Sequence, residues 1–345
     1  MPLRHSSTPV PSSRWVQTHV TATPSTTPSE GAGAAPATPS APRPPAPIER
    51  TFDARWVEET VAANSLRPMG VLPPLGDYVR DLWRRRSFIR VLSSSQAYAR
   101  NQSTFLGQAW SIITPILNAA VYVLIFGVIL SVARAGIENT PAFIVVGTFI
   151  FRFFETSIMS GSKSIKNKRN LVRSVHFPRA VLPISAVLAE LRVLVPSLVV
   201  MCVISWATGF MPGMGDVPVT WRWLLLVPAV GLLWIFSTGT GFVVAAWTAI
   251  APDVENILPF VLRLLMYGSG VIFSLEAFVS QHSWGVLLEY QPIAVYLYLA
   301  RSAVLQEPAF PPDPTMWLLG AGWALLSFVV GFLIFWRGEE RYGRD

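Results

Sequence analysis

Five charged side chains sit inside stretches of sequence that are otherwise apolar: Arg152 and Glu155 in one, Glu190 and Arg192 in a second, Arg263 in a third. A charge near the centre of a membrane-spanning helix costs about 2.5 to 3.5 kcal/mol on insertion scales, so each is expected to face protein or water instead of lipid. Arg152 and Glu155 are three apart and can meet on one helical face. Such a pair either lines a polar pathway or gate, or fixes helix packing as a buried ion pair. Glu190 and Arg192 are two apart near one end of their stretch, where snorkelling toward the interface is the favoured reading. Aromatic rings cluster as Phe149, Phe151, Phe153 and Phe154, with Tyr122 and Phe126 in the preceding stretch and Tyr267 and Phe273 in a later one. Rings of this kind stack on sugar faces in a conduit or simply contact lipid. The pathway candidates are therefore Tyr122, Phe126, Phe149, Arg152, Phe153, Glu155, Glu190 and Tyr267.

Other chemistries find no foothold. The Gly161-Ser162-Lys163-Ser164 run invites comparison with a phosphate-binding loop, but Thr156 stands where that motif needs its first glycine, and no soluble strand precedes it. No nucleotide site is expected. The four histidines, at positions 5, 19, 176 and 282, have no metal-ligand spacing. Paired acids or histidines placed for group transfer are also missing, which argues against a membrane glycosyltransferase or acyltransferase. The single cysteine, Cys202, lies in an apolar run and reads as a small buried hydrophobe. A net charge of +7 raises the question of nucleic acid, yet the basic residues flank apolar stretches, where membrane topology and anionic lipid explain them first. Only three of the 27 basic residues are lysines, a bias that with abundant Ala, Pro and Arg suggests a GC-rich genome.

The elements that must position these residues are membrane helices. The chain of 345 residues is 52% hydrophobic and only 14% charged, with 13 Trp. A span needs roughly 20 apolar residues, and spans are expected at about 112–132, 142–160, 181–207, 223–250, 255–273 and 316–336. Pro183 and Pro196 should bend or break the third, and Gly241 with Ala245 offers a small-residue face in the fourth. The run 275–305 is interrupted by Glu276, His282, Glu289, Gln291-Pro292 and Arg301. It fits a pair of short helices split at Pro292 in the outer leaflet, with their backbone buried against protein. Residues 1–70, rich in Pro, Ser, Thr and Ala, read as a disordered cytoplasmic tail. Leu75, Val79, Leu82, Ile89 and Leu92 recur at helical spacing beside five arginines, predicting an amphipathic interface helix within 75–103, ahead of an all-α, six-span membrane domain over 104–345.

Sidedness follows from charge. Six basic residues from Arg80 to Arg100 and six from Lys163 to Arg179 mark one side, whereas the other holds Arg134, Arg222 and Arg301 against six acids from Glu138 to Asp313. Loops rich in Lys and Arg stay in the cytoplasm, so six spans with both termini inside is the expected topology.

The chain resembles the membrane permease of type 2 ABC exporters, in the branch that exports polysaccharides such as O-antigen, teichoic acid and actinobacterial galactan. The matching residues are Leu106-Gly107-Gln108-Ala109-Trp110 through Thr114-Pro115, and Asn170-Leu171-Val172-Arg173-Ser174-Val175-His176-Phe177-Pro178-Arg179 through Leu182-Pro183. Asp253, Pro259-Phe260 and Gly338-Glu339-Glu340-Arg341 match as well. The arginine that often precedes the aspartate in that family is absent before Asp253. The resemblance implies a homodimeric permease in the inner membrane, with ATP and magnesium bound by a separate ATPase subunit and no cofactor held by this chain. It also implies that the segment after the second span is the ATPase-coupling element, with Lys163, Lys166, Lys168, Arg169 and Arg173 as contacts. A lipid-linked glycan would enter from the inner leaflet near the amphipathic helix. A type 2 exporter of small drugs or lipids is the alternative that shares this topology.

Overall fold

The computed structural model describes residues 74–99, 105–125, 136–175, 177–275 and 285–339, and among these every regular element is helical. The expected tail at 1–70, Phe126 and the end of the first span lie outside the described residues. Among the described residues four helical segments are long and apolar enough to cross a membrane. They are α4 (Thr140–Ser162), α6 (Val181–Thr208), Trp221–Ile250, which is a 3-10 turn followed by α7 (Leu226–Ile250), and α11 (Pro314–Arg337). Their ends fall within about two residues of those expected from hydropathy.

Local chemistry sets these ends. Asn139 caps α4 by accepting from the Ala142 amide at 3.0 Å, Thr220 caps the 3-10 turn, and Asp313 caps α11 through the Thr315 amide at 2.8 Å. Each side chain satisfies a backbone N–H that the first helical turn leaves unpaired. Pro141, Pro292 and Pro314 occupy first-turn positions, where the lost N–H costs nothing. Pro183 sits in the same safe place in α6, and Pro196 lies within it; of the bend or break expected there, the break is excluded, since α6 runs unbroken from Val181 to Thr208.

The shorter elements depart further from expectation. The first span is described only as α3 (Trp110–Tyr122), running on through a π turn to Ile125. The fifth helix, α8 (Val254–Gly268), stops five residues early because Gly270 turns the chain with φ 71°. Its 15 residues span about 22 Å, less than a bilayer core of about 30 Å. The broken pair appears as α9 (Gly285–Glu289) and α10 (Pro292–Val304), split at Pro292 as expected, with α10 buried along nearly its whole length. The amphipathic helix is two helices, α1 (Leu75–Arg84) and α2 (Arg86–Ala99), separated by a turn at Arg85. Tyr78 and Ile89 face the bundle, while Leu75 and Val79 are exposed beside Trp83. The Tyr78 ring packs on Phe332, and its hydroxyl accepts from the Ala180 amide just before α6.

Helix α4 is the axis of the bundle, packed on α3, α6, α7, α8 and α10. It is buried along most of its length, whereas α6 and α11 each leave a broad apolar face uncovered. One hydrophobic cluster fills the centre and a second gathers Tyr78, Ile89, Phe177, Leu182, Phe242 and Phe335 at the basic end. The tightest crossing joins α7 to α11. A Cβ placed on Gly331 would collide with the Gly239 carbonyl, and Ser327 donates across the crossing to the Phe236 carbonyl at 3.0 Å. Without a hydrophobic drive between helices in lipid, such backbone approach and interhelical hydrogen bonds hold them together. Gly241, expected to mediate packing, meets Gly161 of α4, 3.2 Å from a Cβ built on that residue. Gly331→Val is expected to lower the thermal midpoint of the detergent-purified chain, by about 1–3 kcal/mol of overpacking. Gly322→Val, where a Cβ meets nothing within 4 Å, serves as the control and should leave it unchanged. Equal behaviour of the two variants would rule out this crossing as a packing determinant.

Candidate functional site

A half-open cavity of about 240 Å³ lies within the membrane-spanning part of the bundle, between α3, α4 and α6. Helical spacing explains its composition: on α4, Arg152 and Phe153 lie three and four residues after Phe149, and Thr156 lies four after Arg152 and three after Phe153, so the four share a face. Trp110, Thr114 and Pro115 of α3 and Glu190, Val193, Leu194 and Ser197 of α6 complete the wall. Arg152 and Glu155 form an ion pair at 2.8 Å, with side chains 41% and 35% exposed. The hydroxyls of Thr156 and Ser197 bond back to carbonyls of their own helices, so the charged groups, with Trp110 and Thr114, supply the cavity's polar character.

Glu190 contradicts the snorkelling expectation. It is 3% exposed and accepts from the Ser160 hydroxyl of α4 at 2.5 Å. Two residues apart on an α-helix is roughly 200° of rotation, so Arg192 points the other way and donates to the Arg90 carbonyl of α2 at 3.2 Å. Glu190 also belongs to a second cavity, of about 420 Å³, that opens toward the basic end and is lined by residues of α2, α4, α6 and the segment after α4.

That segment divides the five basic residues singled out in the sequence. Lys163 and Lys168 line the second cavity. Lys166 instead pairs with Glu255 in the first turn of α8 at 3.2 Å. Arg169 is exposed on α5 (Arg169–Ser174) together with Asn170 and Ser174, while Leu171 and Val172 pack inward on the basic-end cluster. The side chain of Arg173 lies outside what is described.

The pathway candidates divide in the same way. Phe149, Arg152, Phe153 and Glu190 come together around the first cavity, and Glu155 joins them through Arg152. Tyr267 does not; it is exposed on α8, in one stripe with Phe260, Arg263 and Leu264. Arg263 thus faces outward from this chain. The side chain of Tyr122 and all of Phe126 lie outside the described residues.

Two polar knots escaped the sequence reading. At the basic end, the turn Phe177–Ala180 before α6 has no side-chain cap of its own. The Arg179 amide donates to Glu339 Oε1 at 2.9 Å, the Arg179 guanidinium reaches the Glu339 carbonyl at 2.5 Å, and the Ala180 amide donates to the Tyr78 hydroxyl at 3.1 Å. A carboxylate beside these N–H groups also suits the positive end of the α6 dipole.

At the acidic end, Arg301 is not the exposed loop residue that the charge count assumed. It is 4% exposed, stacks its guanidinium 3.5 Å from the centre of the Phe143 ring and donates to the Gly270 and Val271 carbonyls at 2.9 Å. Gly147 makes room for it, since a Cβ there would lie 2.5 Å from its Nη2. Glu307 beside it accepts from the Asn139 and Glu138 amides at 2.8 and 3.2 Å. Burial pushes the Glu307 carboxyl above the ordinary carboxylate range, and those two backbone donors pull the other way. The sequence signal for this knot was a lone arginine within an apolar run.

Comparison with known proteins places this architecture. Residues 88–305 match the family described as ABC-2 type transporter, and the chain belongs to that family. It is 30% identical over 263 residues to the O-antigen export system permease protein RfbA of Myxococcus xanthus, covering 76% of this chain and 96% of that protein. It is 24% identical over 204 residues to the protein of the same name from Klebsiella pneumoniae, covering 59% of this chain and 74% of the relative. The polysialic acid transport protein KpsM of Escherichia coli is 24% identical over 239 residues, 68% of this chain and 87% of its own length. The chain is thus a multi-pass membrane protein of a transport family whose named relatives are permeases and transport proteins, not enzymes.

The ion pair at the cavity supplies a test. Arg152→Met strands Glu155 and Glu155→Met strands Arg152, so each single variant is expected to lower thermal stability in detergent more than the double variant does. The coupling should be about 0.5–3 kcal/mol. Additive losses would mean that the two groups act independently.

Proposed function

We propose that this chain is the permease subunit of an ATP-driven exporter that carries a lipid-linked polysaccharide, of the O-antigen, teichoic acid or galactan type, across the cytoplasmic membrane. The observation that carries the proposal is the cavity between α3, α4 and α6, where aromatic rings flank a charged pair in a transport-family membrane protein whose relatives are named for O-antigen and polysialic acid. Rings tolerate a sliding sugar polymer because stacking does not depend on one fixed hydrogen bond.

The working unit on this reading is two copies of the chain with two ATPase subunits that hold ATP and magnesium. Arg263 supports the second copy: an exposed guanidinium amid Phe260, Leu264 and Tyr267 on a membrane helix is costly in lipid and calls for a neighbour. The exposed face of α5, with Arg169 and Asn170, is the surface offered to the ATPase. The basic end is cytoplasmic, with six spans and both termini inside, and α1–α2 lie in the inner interface with Leu75, Val79 and Trp83 toward lipid. Closure of the ATPases moves the segment after α4, and the two permeases part to admit the polymer. The GC-rich signature favours an actinobacterial source.

Depletion of the chain in its own cell is expected to leave lipid-linked glycan on the inner leaflet, read by its accessibility to a cytoplasmic-side enzyme in sealed inverted vesicles. Normal surface glycan after depletion would exclude the polymer reading.

A further inference from the structure

Lys163 and Lys168 differ from the other basic residues of their segment: both are half-buried, and neither forms an ion pair or side-chain hydrogen bond among the described residues. They line the cavity of about 420 Å³ shared by α2, α4 and α6. Ser164 lies between them in sequence and in the same wall, and its buried hydroxyl has no partner among the described residues. A buried unsatisfied hydroxyl is unfavourable, a penalty that a bound acceptor relieves. Gln96 of α2 and Asn167 add amide donors. The carboxylate of Glu190 closes the deep end, where Ser160 engages it. Two ammonium groups against one carboxylate leave the cavity net positive.

The opposite wall is apolar, formed by Met159, Ala186 and Ala189. The cavity also lies at the basic end of α4, which on the topology proposed above meets the inner-leaflet head groups. It therefore offers point charges for phosphate beside a greasy surface for a chain. We propose that this cavity binds the phosphate or pyrophosphate head group of a phosphorylated lipid, with Lys163 and Lys168 as its charge partners and Ser164 as a hydrogen-bond donor. This assigns the two lysines to substrate instead of to the ATPase, and leaves the ATPase surface to Arg169 and its exposed neighbours. Because Glu190 borders both cavities, a head group seated here lies next to the ring-lined cavity. The assignment rests on the polysaccharide-export reading and names the residues that would receive its lipid carrier.

The test uses the full-length chain with its ATPase in phosphatidylcholine nanodiscs, probed with a polyprenyl phosphate, with phosphatidylglycerol and with inorganic pyrophosphate. Saturable polyprenyl phosphate binding is expected, and Lys163→Gln/Lys168→Gln should raise its apparent Kd by about tenfold or more. Lys163→Arg/Lys168→Arg keeps the charge and should stay within about threefold of the parent, which separates charge loss from misfolding. Ala99→Trp fills the cavity from α2 without touching a charge and should weaken binding too. An unchanged Kd in the Gln variant overturns the proposal, as does loss of ATPase association with lipid binding intact. Equal binding of inorganic pyrophosphate would reduce the site to one for a free anion and overturn the proposal; equal competition by phosphatidylglycerol would uphold a site for a phosphorylated lipid and overturn its assignment to the carrier of the exported glycan. The outcome is independent of depletion: glycan trapped inside with an unchanged Kd defeats this site alone, while normal surface glycan with a raised Kd defeats the export reading and leaves the site.

Discussion

The backbone at the start of α6 is held from outside that helix. The amides of Arg179 and Ala180 donate to a carboxylate from the end of α11 and a hydroxyl from α1, because no side chain in the turn can cap them. Helix starts leave N–H groups unpaired, and burying them unmet costs more than the net value of an ordinary hydrogen bond. This requirement ties three distant parts of the sequence to one turn. It also gives a physical role to the Phe177-Pro178-Arg179 and Gly338-Glu339 motifs, which the sequence supplied only as a resemblance. Phe177 packs edge-on against Phe88 of α2, so the same turn anchors both amphipathic helices.

From that anchor the rest of the bundle can be built outward. The segment after α4 leads directly into the turn, and α4 carries Phe149, Arg152, Phe153 and Ser160 to the two cavities. The Lys166–Glu255 pair ties the same segment to the start of α8, whose exposed stripe includes Arg263. This segment is thus joined by the chain itself to α4 and to the turn before α6, and to α8 by an ion pair, while the turn is hydrogen-bonded to Glu339 and Tyr78. At the far end, Arg301 and Glu307 satisfy carbonyls and amides that would otherwise lie buried where α8, α10 and α4 meet.

Hydropathy made α4, α6, α7 and α11 legible to within about two residues, because solvation by lipid writes itself along the whole length of a span. The split at Pro292 was legible for a similar reason, since proline cannot continue a preceding helix. What escaped depends on neighbours. The end of α8 was set by a glycine turn inside an apolar run, and α1 is held by a Tyr78 hydroxyl whose backbone donor lies 102 residues away. Arg301 looked like a loop charge until Phe143 and two carbonyls surrounded it, and Glu190 looked interfacial until Ser160 met it. The Gly239–Gly331 crossing was invisible because it pairs two helices across about 90 residues of sequence, whereas Gly241 and Ala245 sit in one helix and could be seen.

The claim on which the account turns is that the clamp at Arg179 and Ala180 transmits motion of the basic segment into the helices. Tyr78→Phe combined with Glu339→Gln loosens both outside partners while keeping their shapes. The direct measurement is glycan exported per ATP hydrolysed, in sealed vesicles containing this variant and its ATPase. The account predicts that hydrolysis persists while the ratio falls several-fold; a ratio equal to that of the parent chain would contradict it.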